Sequence, residues 1–143
     1  MRWRFNALPA FRGTGAWLTY LADDWSEVRL CLPLNWATRN VVGTIFGGSI
    51  GGALDPVYMV MLIRLLGPAY VVWDKSATLE FLRPGRTTLY STFRVGEDEL
   101  AAIRAAVAEH GRVEREYVVE MCDASGVVHA RCRKLISIRR AKR

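Results

Sequence analysis

The chain has 143 residues, 51% of them hydrophobic, with 20 Lys and Arg against 14 Asp and Glu, a formal charge of +6 and a pI near 9.7. That length builds one core, so a single domain over 1–143 is expected, with a basic tail at about 139–143. The positive charge favours an anionic partner: nucleic acid, a membrane surface or a polyphosphate ligand.

Cys31, Cys122 and Cys132 are odd in number, lie in strand-like runs and have no CxxC spacing, which points to buried free thiols in a reducing cytoplasm. His110 and His129 have no neighbouring ligand pattern, so no metal site is expected. The first eleven residues are basic but lack the apolar core of a secretory signal. The uncharged stretch 40–54 falls short of the ~20 residues of a membrane span. A cytoplasmic protein with no membrane span is the expectation.

Residues 5–12 suit a short helix or turn, broken by Gly13-Thr14-Gly15 before a strand at 16–21. Asp23-Asp24 marks a turn into a second strand at 27–34, and the two form a hairpin. Residues 46–66 are almost all apolar or glycine, the pattern of a helix surrounded by protein, and Gly67-Pro68 ends it. Pro56 within it removes the bond to the Gly52 carbonyl and is expected to kink or restart the helix.

A long strand at 70–82 and another at 87–95 are expected to pair with each other. Glu97-Asp98-Glu99 opens a helix with Leu100, Ile103 and Val107 on its apolar side, and His110-Gly111 closes it. Strands at 113–122 and 127–138 flank Asp123-Ala124-Ser125-Gly126. Pairing Cys122 with Val127 sets Val113 opposite Ile136, Val119 opposite Ala130, Met121 opposite Val128, Glu116 opposite Arg133 and Glu120 opposite His129. The order β-β-α-β-β-α-β-β is α+β, an antiparallel sheet wrapped around a long central helix.

Three features of the middle of the chain carry chemistry. Gly47 and Gly48 open the central helix, where unpaired amides and the positive end of the helix dipole make a potential oxyanion site; close packing of helix on sheet wants glycine equally, as Gly51 and Gly52 suggest. Asp55 is the one charge between Asn40 and Ile63, a candidate general base or nucleophile, or else an N-cap before Pro56. Asn40 either orients water or a carbonyl, or caps a turn. Asp74 and Lys75 are adjacent in a strand, point to opposite faces and cannot form one dyad.

Asn40-x2-Gly43-x2-Phe46-Gly47-Gly48-x6-Asp55 resembles the motif of the hotdog-fold thioesterases, in particular the phenylacetate-degradation type. Trp73-Asp74-Lys75-Ser76 and Phe81-Leu82-Arg83-Pro84-Gly85 resemble the uncharacterised thioesterase-like branch of that superfamily. The resemblance implies a hotdog fold, an acyl-CoA or related thioester as substrate, no cofactor besides the coenzyme A of the substrate, and a homodimer or homotetramer. It implies catalytic roles for Asp55, Asn40, Gly47 and Gly48, with Phe46, Ser49, Tyr58 and Arg83 at the substrate. Histidine usually stands where this chain has Phe46, so either the chemistry runs without that titratable group or the protein binds acyl ligands without hydrolysing them.

Arginine forks suit phosphate, and Arg83, Arg139, Arg140, Lys142 and Arg143 are candidates for the phosphates of coenzyme A. A solvated tail accounts for the last four equally well. Nucleic acid would want basic residues interleaved with exposed aromatics, whereas Trp17, Trp36 and Trp73 sit in apolar contexts, so no nucleic-acid partner is expected. At ~1.5 Å per residue, Gly48 and Asp55 lie about 10 Å apart along one helix. Joint action on one thioester then requires the amides of one protomer and the Asp55 of another.

Overall fold

A computed structural model describes residues 1–142. Two short helices, α1 (Arg2–Asn6) and α2 (Pro9–Arg12), precede strands β1 (Trp17–Leu21) and β2 (Glu27–Leu32). The central segment is α3 (Gly47–Leu54) followed by α4 (Val57–Leu66); then come β3 (Tyr70–Phe81), β4 (Leu89–Arg94), α5 (Glu97–His110), β5 (Arg112–Cys122) and β6 (Val128–Arg140). All six strands join one antiparallel sheet in the order β1-β2-β4-β5-β6-β3. The α+β reading holds, with the sheet curved about α3 and α4.

The helix packs through Ile50, Ala53, Leu54, Val57, Tyr58, Met61, Leu62 and Leu66, all buried, at the i, i+3, i+4 spacing of one face. Against them lie Leu89, Phe93, Val119, Met121, Ala130, Ile136 and Ile138 from alternate positions of the strands. Protein does not surround the helix completely, as its composition suggested: Gly48, Asp55, Ile63 and Arg64 remain exposed. The run Gly47–Leu66 is long and apolar enough to cross a membrane by length and composition, but 50% of its apolar window is buried in this fold.

Two strand pairings differ from expectation. β3 and β4 are not partners: β3 pairs with β6, and β4 lies between β2 and β5. The turn after β3 carries the chain across the sheet instead of back along it, with Ile45 N donating to Gly85 O inside that crossing. The β5–β6 register is also shifted by two, with Glu120 opposite Arg131, Val119 opposite Cys132 and Val113 opposite Ile138. The Asp123 carboxylate accepts from the amides of Ser125 and Val127, and Cys122 pairs with Val128 across a bulge, so the turn consumes one more residue than expected.

A shift of two preserves the faces. Glu116 still pairs with Arg133, now diagonally, at 2.7 Å. The basic tail is shorter than expected, because β6 runs through Arg140; Arg143 lies outside the described residues. In α5 the expected side is the buried one, and Gly111 closes it with φ 78°, a conformation glycine adopts without strain. Glu99 fastens α5 to the inner face of β5 by accepting from Arg115 and, at 2.8 Å, from the Tyr117 hydroxyl.

Leu54 is fully buried at the end of α3. Leu54→Ala is expected to lower stability by about 2–5 kcal/mol through lost burial and a residual cavity, read as a drop in urea midpoint at unchanged slope.

Candidate active site

The centre of the site is a lysine that sequence reasoning passed over. Lys134 lies on β6 in the inward column Ala130, Cys132, Ile136, Ile138, and its side chain is 1% exposed. Its ammonium donates to the Asp55 carbonyl at 2.9 Å, to Asp55 Oδ1 at 2.8 Å and to Asp74 Oδ2 at 2.9 Å. Three donors meet three acceptors, which is what allows a buried ammonium to stay charged. Burial works against that charge, but the bonds to Asp55 and Asp74 and their negative charges outweigh it, and the pKa of Lys134 stands above the ordinary lysine value.

Asp55 occupies the break between α3 and α4. It makes no N-cap bond, because Pro56 stands at the cap of α4 and the Asp55 carboxylate turns to Lys134. The side chain is nevertheless 63% exposed, so one carboxylate oxygen is tethered and Oδ2 is open to a ligand. Asp74 is the inward neighbour expected to be solvated or structural. It faces Lys134 while Lys75 pairs with Glu114 on the opposite face, as the alternation required. Burial raises the Asp74 pKa, Lys134 partly offsets this, and the nearby Asp55 charge adds to it. Asp74 Oδ1 is buried with no hydrogen-bond partner.

Gly47 and Gly48 form the first turn of α3, where Ser49 and Ile50 N donate to Phe46 O and the two glycine amides donate to no described protein group. The close packing that the sequence offered as one reading is present at both. A Cβ on Gly47 would meet the Phe81 ring at 2.9 Å, and one on Gly48 the Phe46 ring at 2.4 Å, so aromatic rings press on both. Gly51 and Gly52 face Leu79 and Thr14 in the same way.

The remaining candidates separate. Asn40 caps a turn: its Oδ1 accepts from Val42 and Thr44 amides and its Nδ2 donates to Thr44 Oγ1. That turn and Gly47 line a cavity of about 380 Å³ with Phe81, Leu82, Arg83, Pro84 and Gly85. Arg83 is exposed at this cavity and donates to Val128 O. Phe46 is 56% exposed and with Ser49 lines a separate cavity of about 410 Å³. Tyr58, expected at the substrate, is 6% exposed, stacked on Tyr117 and edge-on to Phe93; it lines none of the described cavities, and burial raises its pKa. Trp17, Trp36 and Trp73, placed in apolar contexts by the sequence, are exposed in the single chain. Among the described residues no three His, Cys, Asp or Glu side chains form a metal-binding group, and all three cysteines are free.

The fold matches that of solved proteins. A protein of unknown function from Pseudomonas aeruginosa, described as a probable thioesterase, superposes with TM-score 0.85 at 21% identity over 98% of this chain and 93% of its own. A protein of unknown function from Chlorobaculum tepidum gives 0.76 at 17% over 97% and 91%, and a thioesterase from Haemophilus influenzae gives 0.70 at 12% over 96% and 87%. The sheet order and central helix are those of the hotdog fold. A search of curated proteins finds no significant match.

Lys134 folds with a pKa above its unfolded value of 10.5, so its contribution is complete below that pH and is lost as pH rises through the folded value. Lys134→Met is expected to cost about 3 kcal/mol at neutral pH, the low end for a broken buried pair because Asp55 regains water. The gap to wild type should close above pH 10.5 in urea titrations. Residues 2–138 match the model of a domain of unknown function, DUF4442, and the chain belongs to that family.

Proposed function

We propose that the protein is an acyl-CoA thioesterase in which Asp55 acts on the thioester carbon and the amides of Gly47 and Gly48 hold the oxyanion. The observation that carries this reading is the tethered, exposed Asp55 carboxylate: Oδ1 is fixed on Lys134 and Oδ2 is open. Likeness in fold to proteins described as thioesterases supports the same reading. As base, Oδ2 takes a proton from water while the water oxygen bonds to the carbonyl carbon, and the carbonyl oxygen becomes an anion facing the helix amides. Collapse then breaks the carbon–sulfur bond, and the departing thiolate takes up the proton, giving a carboxylic acid and coenzyme A. Direct attack by Oδ2 would pass through a mixed anhydride that water hydrolyses to the same products.

In this reading coenzyme A lies in the cavity beside Gly47 with its phosphates near Arg83. The working site is shared between two protomers, amides from one and Asp55 from the other. The free edge of β3 favours this arrangement: twelve residues long, it pairs among the described residues only with β6, and Trp73, Phe81 and Leu82 beside that edge are exposed. A non-hydrolysing acyl-binding module is the second reading, favoured by the Phe46 ring lying over Gly48 where the resemblance leads to histidine.

Thiol release from short, medium and aromatic acyl-CoA esters separates the two. Asp55→Ala is expected to lower kcat by about 10²–10⁴, the range of a lost general base. No release above that variant, with coenzyme A binding retained, would favour the binding module. Asp55→Ala and Gly48→Pro chains, each inactive alone, are expected to regain activity on mixing, with one working site per mixed dimer. A fully active monomer by light scattering would overturn the shared site.

A further inference from the structure

The groove that runs from Asp55 under the N-terminal helices has a chemistry the reaction scheme above does not use. Phe5, Leu8, Pro9, Ala10, Phe11 and Thr14 form one wall of a cavity of about 410 Å³, and Gly52, Asp55, Pro56 and Val60 form the other. A second cavity of about 200 Å³ shares Phe5, Leu8 and Val60 with it and ends at Arg4, Trp25 and Arg64. Sharing these residues, the two adjoin along α4 and are read together as one trough, apolar except for its ends. Asp55 stands at one end, already satisfied by Lys134 and so not in need of a cation there. Arg64 at the other end is held over the Trp25 ring, with 5.4 Å from its guanidinium carbon to the ring centroid. From Asp55 to Arg64 is nine residues, about 13 Å at ~1.5 Å per residue, the extended length of about ten carbons.

We infer that this trough is the acyl-chain site and that the substrate class is an unbranched medium-chain acyl thioester of about eight to ten carbons. The inference rests on the thioesterase reading. Two features select this occupant. The apolar lining begins at the residue proposed to react, so a chain attached to the carbonyl at Asp55 enters the trough directly. It closes at two arginines, which an apolar chain end does not pass without displacing their water, and this sets a length limit. An aromatic or polar acyl group leaves the far half unfilled or buries unpaired polar atoms. Each further methylene buried adds apolar surface removed from water, which gives a steep rise in kcat/KM with chain length until the trough is full.

Val60 lies at the waist shared by both cavities and is half-buried, and Leu8 opposite it is exposed. The test measures kcat/KM for butyryl-, octanoyl-, decanoyl- and hexadecanoyl-CoA together with fluorescence titration of cis-parinaric acid. Wild type is expected to prefer decanoyl- over butyryl-CoA at least tenfold and to fall off at hexadecanoyl-CoA. Val60→Phe and Leu8→Glu should each reduce the decanoyl/butyryl ratio at least tenfold and weaken parinaric acid binding by a similar factor. A ratio unchanged in both folded variants would overturn the inference. If no ester is hydrolysed by wild type, parinaric acid binding that both variants weaken still supports the trough and only the hydrolytic reading falls. Absence of parinaric acid binding to wild type would remove the trough even if short esters are hydrolysed.

Discussion

Lys134 is the constraint on which the site depends. Burying an ammonium costs several kcal/mol unless its hydrogen bonds and charge are met, and here they are met where the break in the central helix and the edge strand both present oxygens. The break between α3 and α4 is that place: Pro56 cannot donate to the Gly52 carbonyl, and beside it the Asp55 carbonyl accepts from Lys134. The lysine therefore ties the helix break and the Asp55 side chain to β6. Asp74, on the edge strand, is drawn into the same centre, so the position of β3 and the orientation of the candidate carboxylate are coupled through one nitrogen.

Two carboxylates on one ammonium leave the cluster with a net negative charge when all three groups are ionised. The unpartnered Asp74 Oδ1 and the raised Asp74 pKa are consequences of this imbalance and of burial. Asp55 differs in that most of its side chain is open to water. The two acids thus share a partner and differ in exposure, and the exposed one is the one available to a ligand.

Much of the fold was legible in the sequence because it is written in local patterns: alternation in β5 and β6, the acidic first turn of α5, and the proline that splits the central helix. Pairing between distant strands is not written locally. Adjacent strands 70–82 and 87–95 looked like a hairpin, yet β4 finds better inward partners in β2, where Val28, Leu30 and Leu32 face Phe93, Ser91 and Leu89. The two-residue register error came from a side chain, Asp123, acting as a turn-former. For the site, Asp55 and the helix glycines were visible as a lone charge and a cluster, while Lys134 was hidden among Arg131, Arg133 and Arg139 in a basic strand. A signal existed: counting by twos from Ala130 to Ile138 places Lys134 in an otherwise apolar column, and such a lysine needs an acid opposite it. Tyr58 misled in the other direction, since a tyrosine on an apolar helix fits a pocket wall and a core equally well and the core stacking with Tyr117 won.

In the proposed dimer, the single chain supplies half of a reaction chamber. The inward face of β3 beyond Asp74 carries Ala77, Leu79 and Phe81; α3 lies against it at Gly51 and Gly47, yet Ala77 and Phe81 remain exposed, so the same chain covers that strip only in part. A carboxylate beside open water is held in its ground state by hydration, and preorganised electrostatics act strongly only where water is excluded. The proposed partner protomer, docked along β3, would cover this strip, bring its own helix amides within reach and dry the space around Asp55 Oδ2. Lys134 would not need to move, because its three acceptors are already in place. On this view the chain builds the charged half of the chamber by folding and leaves the desolvating half to assembly, which is why the candidate base is tethered yet exposed in one protomer.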